Sequence, residues 1–284
     1  MVRNYLSLVR FSHTVFAMPF ALIGFTLAVS RDGGEFSMRL FLLIILCMIL
    51  ARNAAMGFNR IADRKLDALN PRTQDREIPA GRISSSSAAI FVAVNSILFI
   101  AAAGLINRLT LALSPLALLI ILGYSLTKRF TSLCHFILGL GLSLAPIGAY
   151  ISVTGHFALL PLLYSFIVLT WVSGFDIIYS LMDDSFDREN RLHSIPSAFG
   201  VRKAIIISLF IHFLTIILVI MAGLAGEAKF LFWTGALIFI SLLIYQHLIV
   251  KQDDLSRVNL AFGTTNGIAS IVFAVFVILD LVFL

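Results

Sequence analysis

Two groups of polar side chains with helical spacing are the residues of this chain best suited to chemistry. The first acidic group follows an apolar stretch and consists of Asn59, Asp63 and Asp67. The second acidic group repeats that spacing at a constant offset and consists of Tyr179, Asp183 and Asp187. Residues four apart share one face of a helix, so each group predicts a polar stripe where a helix leaves an apolar environment.

Carboxylates at this spacing repel one another unless positive charge lies between them. Oxygen ligands in pairs are typical of Mg²⁺, which is held by one or two carboxylates together with substrate phosphates. The two groups therefore predict a metal-bridged diphosphate, with the stripes opposed in a helical bundle. The alternative is a solvated helix end, with salt bridges to Arg64, Lys65 or Arg188.

Basic residues close to the acids in the sequence suit the same anion. Lys128 and Arg129 follow Tyr124 at the end of an apolar stretch, and Arg72 and Arg76 lie in the loop after the first acidic group. The alternative is that these cations only record the orientation of the chain in a membrane.

Arg52 differs from these cations because it lies within an apolar stretch, seven residues before Asn59 and on roughly the same face. A charge at membrane depth costs about 2.5–3.5 kcal/mol on insertion scales and usually faces a cavity or a partner. We interpret Arg52 as a contact for an acidic substrate. Pairing with Asp176, itself within an apolar stretch, is the structural alternative.

The elements that must hold these residues are membrane helices. The chain has 284 residues, of which 60% are hydrophobic and only 13% charged, and its mean hydropathy is +1.00. A soluble domain would need roughly a quarter of charged residues. Stretches long enough to cross the bilayer lie near 11–30, 38–58, 86–106, 109–126, 131–153, 157–181, 203–225, 229–249 and 260–284. The first is interpreted as a true span, since no cleavable signal stands apart from it.

Basic residues are distributed unevenly between the loops. Of the 21 Lys and Arg, all but Arg52 and four others (Arg31, Arg39, Arg108 and Lys229) lie at the N-terminus or in the loops after spans two, four, six and eight. The asymmetry predicts a cytoplasmic N-terminus, a C-terminus on the opposite side and an active site facing the cytoplasm. The net charge of +6 then reflects topology and contact with anionic lipid, not nucleic-acid binding.

Four stretches of the chain resemble a known family. ARNAAMGFNRIADRKLDALNPRTQDREIPAGRIS resembles the first signature of the UbiA superfamily of intramembrane aromatic prenyltransferases, and GFDIIYSLMDDSFDRENRLHSIPSAFG resembles its second. FSHTVFAMPFAL and GYSLTKRFTSLCHFILGLGLSLAPIGAY are similar to the 4-hydroxybenzoate polyprenyltransferase branch. The resemblance spans most of the chain.

The resemblance implies an all-α integral membrane protein, in which a single domain (1–284) forms a nine-helix bundle around a central cavity. It implies Mg²⁺-dependent transfer of a polyprenyl group from polyprenyl diphosphate to an aromatic acid such as 4-hydroxybenzoate, in quinone biosynthesis at a bacterial-type inner membrane. The implied metal and diphosphate ligands are Asn59, Asp63, Asp67, Asp183 and Asp187. The implied substrate contacts are Arg52, Lys128 and Arg129, with Asp176 and Tyr179 on the turns before the second signature's acids. From their positions in the sequence, we add Arg72, Arg76 and Tyr124 to the predicted substrate contacts.

Two alternatives remain. Ubiquinone-pathway members often read KST after the second signature, whereas this chain reads His193-Ser194-Ile195-Pro196. That form is closer to a sub-branch associated with the futalosine route to menaquinone, which prenylates a related aromatic acid. A multi-span transporter is the alternative from another class, although its polar sites should lie near the midplane rather than at one face.

Overall fold

The computed structural model describes residue 8 and residues 16–284, and these residues form helices without any extended strand. The α-helices are, in chain order, α1 (Met18–Ser30), α2 (Met38–Leu69), α3 (Ser85–Gly104), α4 (Arg108–Thr127), α5 (Cys134–Thr154), α6 (Leu159–Ser180), α7 (Asp184–Glu189), α8 (Ile195–Phe199), α9 (Val201–Ala225), α10 (Phe230–Ile249) and α11 (Asn266–Phe283). A 3₁₀ turn, Leu181–Asp183, separates α6 from α7, and a π-helical segment, Leu260–Thr265, leads into α11.

Each of the nine predicted apolar stretches contains an apolar helix within the described residues. Eight helical segments are long and apolar enough to cross a membrane, and α1 is a shorter apolar helix of 13 residues. The predicted first span begins at residue 11, so residues 11–15 lie outside the described part, as do Arg3 and Arg10 of the charge asymmetry. The chain is an integral multi-pass membrane protein.

The described residues divide into two compact units. Unit 1 contains residue 8 and Ser37–Leu126, and therefore α2, α3 and nearly all of α4. Unit 2 contains residues 16–36 and Thr127–Leu284, and therefore α1 and α5 to α11. The assignment of residues 1–284 to a single domain, made from the sequence, stays a prediction.

In unit 1, helix α2 packs closely against α3. A Cβ built on Gly57 would lie 2.8 Å from a methyl group of Val92, so glycine permits the close approach of the two helices. The Asn53 amide donates a 3.0 Å hydrogen bond to Asn95 Oδ1 across the same interface. Helix α2 runs 32 residues and continues beyond the predicted end of the span at 58, so the first acidic group lies on one unbroken helix, as expected.

In unit 2, the core surrounds Trp171 of α6, which is fully buried and forms ring contacts with Phe20, Phe175 and Phe239. Helices α5 and α6 approach so closely that a Cβ on Gly139 would lie 2.5 Å from the Leu169 carbonyl oxygen. This contact brings the polar residues at the start of α5 beside the end of α6.

The end of α6 corrects one sequence-based expectation. The equal spacing of the second acidic group predicts one continuous stripe, but the 3₁₀ turn Leu181–Asp183 interrupts the α-helix between Tyr179 and Asp187. A 3₁₀ turn advances about 120° per residue instead of about 100°, so the three side chains do not share one straight helical face.

Candidate active site

The first acidic group is linked along α2. The Asn59 amide donates a 2.9 Å hydrogen bond to Asp63 Oδ2, the contact expected for residues four apart. The Asn59 Oδ1 atom in turn accepts a 3.2 Å hydrogen bond from the buried guanidinium of Arg60. Asn59 thus orients the Asp63 carboxylate and is itself oriented by a cation.

Asp67, the last member of the first acidic group, forms an ion pair that leaves two groups unsatisfied. Its Oδ1 accepts a 2.7 Å charge-assisted hydrogen bond from Arg76, and the Thr73 hydroxyl donates to its backbone carbonyl at 3.1 Å. Asp67 Oδ2 and Arg76 Nε are both buried, and neither has a hydrogen-bond partner among the described residues. A buried polar atom without a partner is costly, so this pair is suited to receive a cation on one side and an anionic oxygen on the other.

Arg52 lies on α2 within the membrane-spanning part of unit 1 and is partly buried. It interacts electrostatically with Tyr124 near the end of α4. The structure therefore brings together two of the predicted substrate contacts, Arg52 and Tyr124, in one unit.

Two of the other predicted cations are more exposed to solvent than Arg52. The side chains of Arg72 and Arg129 are exposed, and the backbone N–H of Arg72 donates to Asn70 Oδ1 at 2.9 Å. Exposed guanidinium groups on these loops are accessible to an anion arriving from water.

Asp187 of the second acidic group is completely buried and has two partners in unit 2. Lys128 Nζ lies 2.8 Å from its Oδ1, and the Ser194 hydroxyl donates to its Oδ2 at 2.9 Å. Burial disfavours the charge of Lys128, but the Asp187 carboxylate outweighs burial, so the pKa of the ammonium is raised. Asp67 therefore pairs with Arg76, and Asp187 pairs with Lys128. The salt-bridge alternative named Arg64, Lys65 and Arg188 as partners, and of these Arg188 pairs with Asp184.

Asp183 and Tyr179 lie beside this pair. Asp183 is partly exposed in the 3₁₀ turn and contributes to the negative field at Lys128. The Tyr179 ring stacks on Phe262 of the π-helical segment, with ring centroids 4.0 Å apart. The side-chain amide of Asn266 donates to the Ala261 carbonyl at 2.9 Å, which satisfies a backbone group within that segment.

Sequence reasoning assigned no role to His135, which the structure makes the partner of Asp176. The His135 Nδ1 atom lies 2.7 Å from Asp176 Oδ2, and the imidazole is almost fully buried. A lone His in an apolar span carries no sequence signal for a carboxylate 41 residues away, so only the packing of α5 on α6 reveals this contact.

The donor set of the first acidic group fits Mg²⁺ in chemistry. No three His, Cys, Asp or Glu side chains lie together as a preformed metal cluster within residue 8 and residues 16–284. Mg²⁺ usually takes one or two carboxylates and completes its shell with water and substrate phosphates. The unpartnered Oδ2 of Asp67 is a carboxylate oxygen of this kind.

Comparison with known proteins identifies the family. The sequence profile of the UbiA prenyltransferase family matches residues 17–276, which is most of the chain and includes both acidic groups. The chain belongs to the UbiA prenyltransferase family. It is an enzyme of prenyl transfer, and family membership decides against the transporter alternative.

Curated relatives of this UbiA prenyltransferase are named 4-hydroxybenzoate octaprenyltransferase. The relative from Nitrosomonas eutropha is 29% identical over 235 residues, which cover 83% of this chain and 82% of the relative. The relative from Coxiella burnetii (strain CbuK_Q154) is 27% identical over 277 residues, which cover 96% of this chain and 94% of the relative.

Solved structures share the fold. The apo structure of a UbiA homolog from Aeropyrum pernix K1 has a TM-score of 0.85 and 33% identity, covering 94% of this chain and 98% of the homolog. A UbiA homolog from Archaeoglobus fulgidus bound to DMAPP and Mg²⁺ has a TM-score of 0.79 at 20% identity, covering 99% and 100% of the two chains. The fold class predicted from the sequence is confirmed.

Proposed function

We propose that this UbiA prenyltransferase catalyses Mg²⁺-dependent transfer of a polyprenyl group from polyprenyl diphosphate to an aromatic acid such as 4-hydroxybenzoate, in quinone biosynthesis. The site faces the cytoplasm of a bacterial-type inner membrane. The names of the curated relatives support the reaction, and the Archaeoglobus fulgidus homolog bound to DMAPP and Mg²⁺ supports the donor class and the metal.

The observation that carries the proposal is the half-satisfied ion pair of Asp67 and Arg76. Two buried groups of opposite sign, Asp67 Oδ2 and Arg76 Nε, point to a ligand that supplies both a cation and an anionic oxygen. A Mg²⁺–diphosphate has that chemistry, since the metal accepts carboxylate oxygens and the phosphates accept N–H groups.

The residues that would hold the metal and the diphosphate are those of the two acidic groups, namely Asn59, Asp63, Asp67, Asp183 and Asp187. When bound, Mg²⁺ supplies positive charge that stabilises the departing diphosphate. Lys128 retains its charge because its pKa is raised, so it can donate to a phosphate oxygen throughout the neutral pH range. Arg72, Arg76 and Arg129 add donors around the same anion.

The acceptor would meet Arg52, Tyr124, Asp176 and Tyr179. A guanidinium binds a carboxylate bidentately, so Arg52 orients the acid with its ring towards the prenyl carbon. Loss of the diphosphate leaves an allylic cation, which the ring attacks beside its hydroxyl before losing a proton. Water would quench that cation, so the reaction needs apolar surroundings that exclude water.

A second candidate acceptor is the related aromatic acid of the futalosine route. It is favoured only by the sequence His193-Ser194-Ile195-Pro196, which is closer to the form of that sub-branch. This difference concerns the acceptor and leaves the donor and the metal unchanged.

The test is direct prenylation by the purified enzyme in lipid nanodiscs. Prenyl diphosphates of several chain lengths are combined with labelled 4-hydroxybenzoate or with a naphthoic acid, with Mg²⁺ or with EDTA, and the products are identified by mass spectrometry. The proposal expects a Mg²⁺-dependent prenylated acid. Prenylation of neutral phenols in preference to every acid would contradict it.

A further inference from the structure

His135 makes two hydrogen bonds through its ring, and they run to different elements of unit 2. Its Nδ1 lies 2.7 Å from Asp176 Oδ2 on α6, and its Nε2 accepts a 3.2 Å hydrogen bond from the backbone N–H of Ile195. The His135 residue is 2% exposed, so water does not compete for either nitrogen. The ring thus bridges α6 and the start of α8.

The hydrogen bonds define the tautomer of His135. An N–H donor needs an acceptor, so the N–H of Ile195 requires an Nε2 atom without a proton. The imidazole proton is therefore on Nδ1, where it donates to the Asp176 carboxylate. The described residues supply a hydrogen bond to Oδ2 of Asp176 only, and 22% of the Asp176 side chain remains exposed.

The segment that contains Ile195 also contacts the ion pair of Lys128 and Asp187, which is assigned to the diphosphate. We call residues 193–197 the strap. The His193 N–H donates to the Lys128 carbonyl at 2.7 Å, and Ser194 donates its hydroxyl to Asp187 at 2.9 Å. Ser194 also caps α8 through a capping box with Ser197, which makes the strap a rigid turn.

We propose that His135 is a positioning residue that fixes Asp176 for the acceptor and, through the Ile195 N–H, fixes the strap that holds Asp187 and Lys128 for the prenyl diphosphate. The inference rests on the proposed function, because it assigns the acceptor to Asp176 and the diphosphate to Asp187. It also gives residues 193–196 a role in holding Asp187 and Lys128, since the proposed reaction assigns these residues no direct part.

Two substitutions of His135 separate its two contacts. In His135→Asn, the side-chain amide lies near the position of Nδ1 and can donate to Asp176, but it does not reach Ile195. In His135→Gln, the amide oxygen lies near the position of Nε2 and can accept from Ile195, but the donor to Asp176 is lost. The experiment measures kcat and the KM of each substrate, with the unfolding temperature in detergent as a check of folding.

The two variants should show opposite effects. His135→Gln loses a charge-assisted hydrogen bond and should raise the acceptor KM about tenfold to a hundredfold, with little change for the prenyl diphosphate. His135→Asn loses a neutral hydrogen bond and should raise the prenyl diphosphate KM about twofold to tenfold, with little change for the acceptor.

A matched pair at Ile195 tests the strap without altering the imidazole. Ile195→Pro removes the N–H at the first position of α8, where Pro is tolerated, and the extended Ser194 (φ −138°, ψ 164°) suits a residue before Pro. Ile195→Ala removes more of the side chain but keeps the N–H. The prenyl diphosphate KM should rise in Ile195→Pro and not in Ile195→Ala.

Ser173→Ala is the control for a change in the buried surroundings of His135, since the Ser173 hydroxyl donates to the carbonyls of His135 and Leu169, at 3.3 and 2.7 Å, and not to the ring. It should leave both KM values within about twofold of wild type. Variants of His135 and Ile195 that change both KM values equally, or neither, would overturn the inference while the wild type still prenylates an acid. Failure of the wild type on every acid would instead contradict the proposed function.

Discussion

Replacing Lys128 by Met separates the structural from the catalytic role of the Lys128–Asp187 pair. The change removes the cation 2.8 Å from a fully buried carboxylate and leaves only the Ser194 hydroxyl on Asp187. Breaking a buried ion pair costs about 3–5 kcal/mol when the remaining charge is stranded. Because the Lys128 side chain is 33% exposed, water can reach this pair, and we expect a loss of about 2–3 kcal/mol.

The assay is the free energy of unfolding in mixed micelles, measured by denaturant titration for Lys128→Met, Asp187→Asn and the double variant. The double variant should recover most of the lost stability, since no stranded charge remains, yet should stay inactive in prenyl transfer. A Lys128→Met protein as stable as wild type would refute the ion-pair reasoning, and an active double variant would refute the catalytic role.

The pH dependence of this stabilisation follows from the raised pKa of Lys128. A group with a raised pKa in the folded state stabilises fully below its unfolded pKa, and the stabilisation is lost as the pH rises through the folded pKa. The stability difference between wild type and Lys128→Met should therefore be present at neutral pH and decline in strong alkali, as the pH rises through the pKa of Lys128.

Three further predictions concern other parts of the chain. Asp280→Ala should lower the free energy of unfolding by about 1–2 kcal/mol, because Asp280 accepts hydrogen bonds from the N–H groups of Lys229 and Phe232 and so caps α10. The rate of prenyl transfer per folded enzyme should not change, and a slower rate would contradict this prediction. Compartment-sensitive reporters should place the N-terminus in the cytoplasm and the C-terminus outside; both ends on one side would mean an even number of crossings. Arg52→Lys should raise the acceptor KM roughly tenfold to a hundredfold and leave the KM of the prenyl diphosphate unchanged. Equal effects on both KM values would assign Arg52 a structural role. With a methyl ester of the acceptor, wild type and Arg52→Lys should have the same acceptor KM.

The sequence predicted the elements whose signal is local. The apolar stretches predicted the membrane helices, and the four-residue spacing of Asn59, Asp63 and Asp67 predicted that α2 continues beyond its span. Both rest on periodicity along a single helix, which a sequence displays directly.

The features that the sequence did not predict depend on contacts between distant residues. The residues Leu181–Asp183 are compatible with an α-helix, so nothing local marked the 3₁₀ turn. His135 and Asp176 meet because α5 packs closely on α6 at Gly139. The stacking of Tyr179 on Phe262 likewise depends on the π-helical segment, which periodicity does not indicate.

The central claim is that both acidic groups serve one Mg²⁺-dependent prenyl transfer, and Mg²⁺ titration of the initial rate tests it most directly. Asp63→Ala and Asp183→Ala should each abolish transfer, while Asp63→Asn and Asp183→Asn should raise the Mg²⁺ concentration needed for half-maximal rate by at least about tenfold. Asp253→Asn, at an exposed loop acid, is the matched control and should behave as wild type. Near-normal turnover of either alanine variant at saturating Mg²⁺, in protein that inserts normally, would contradict the account.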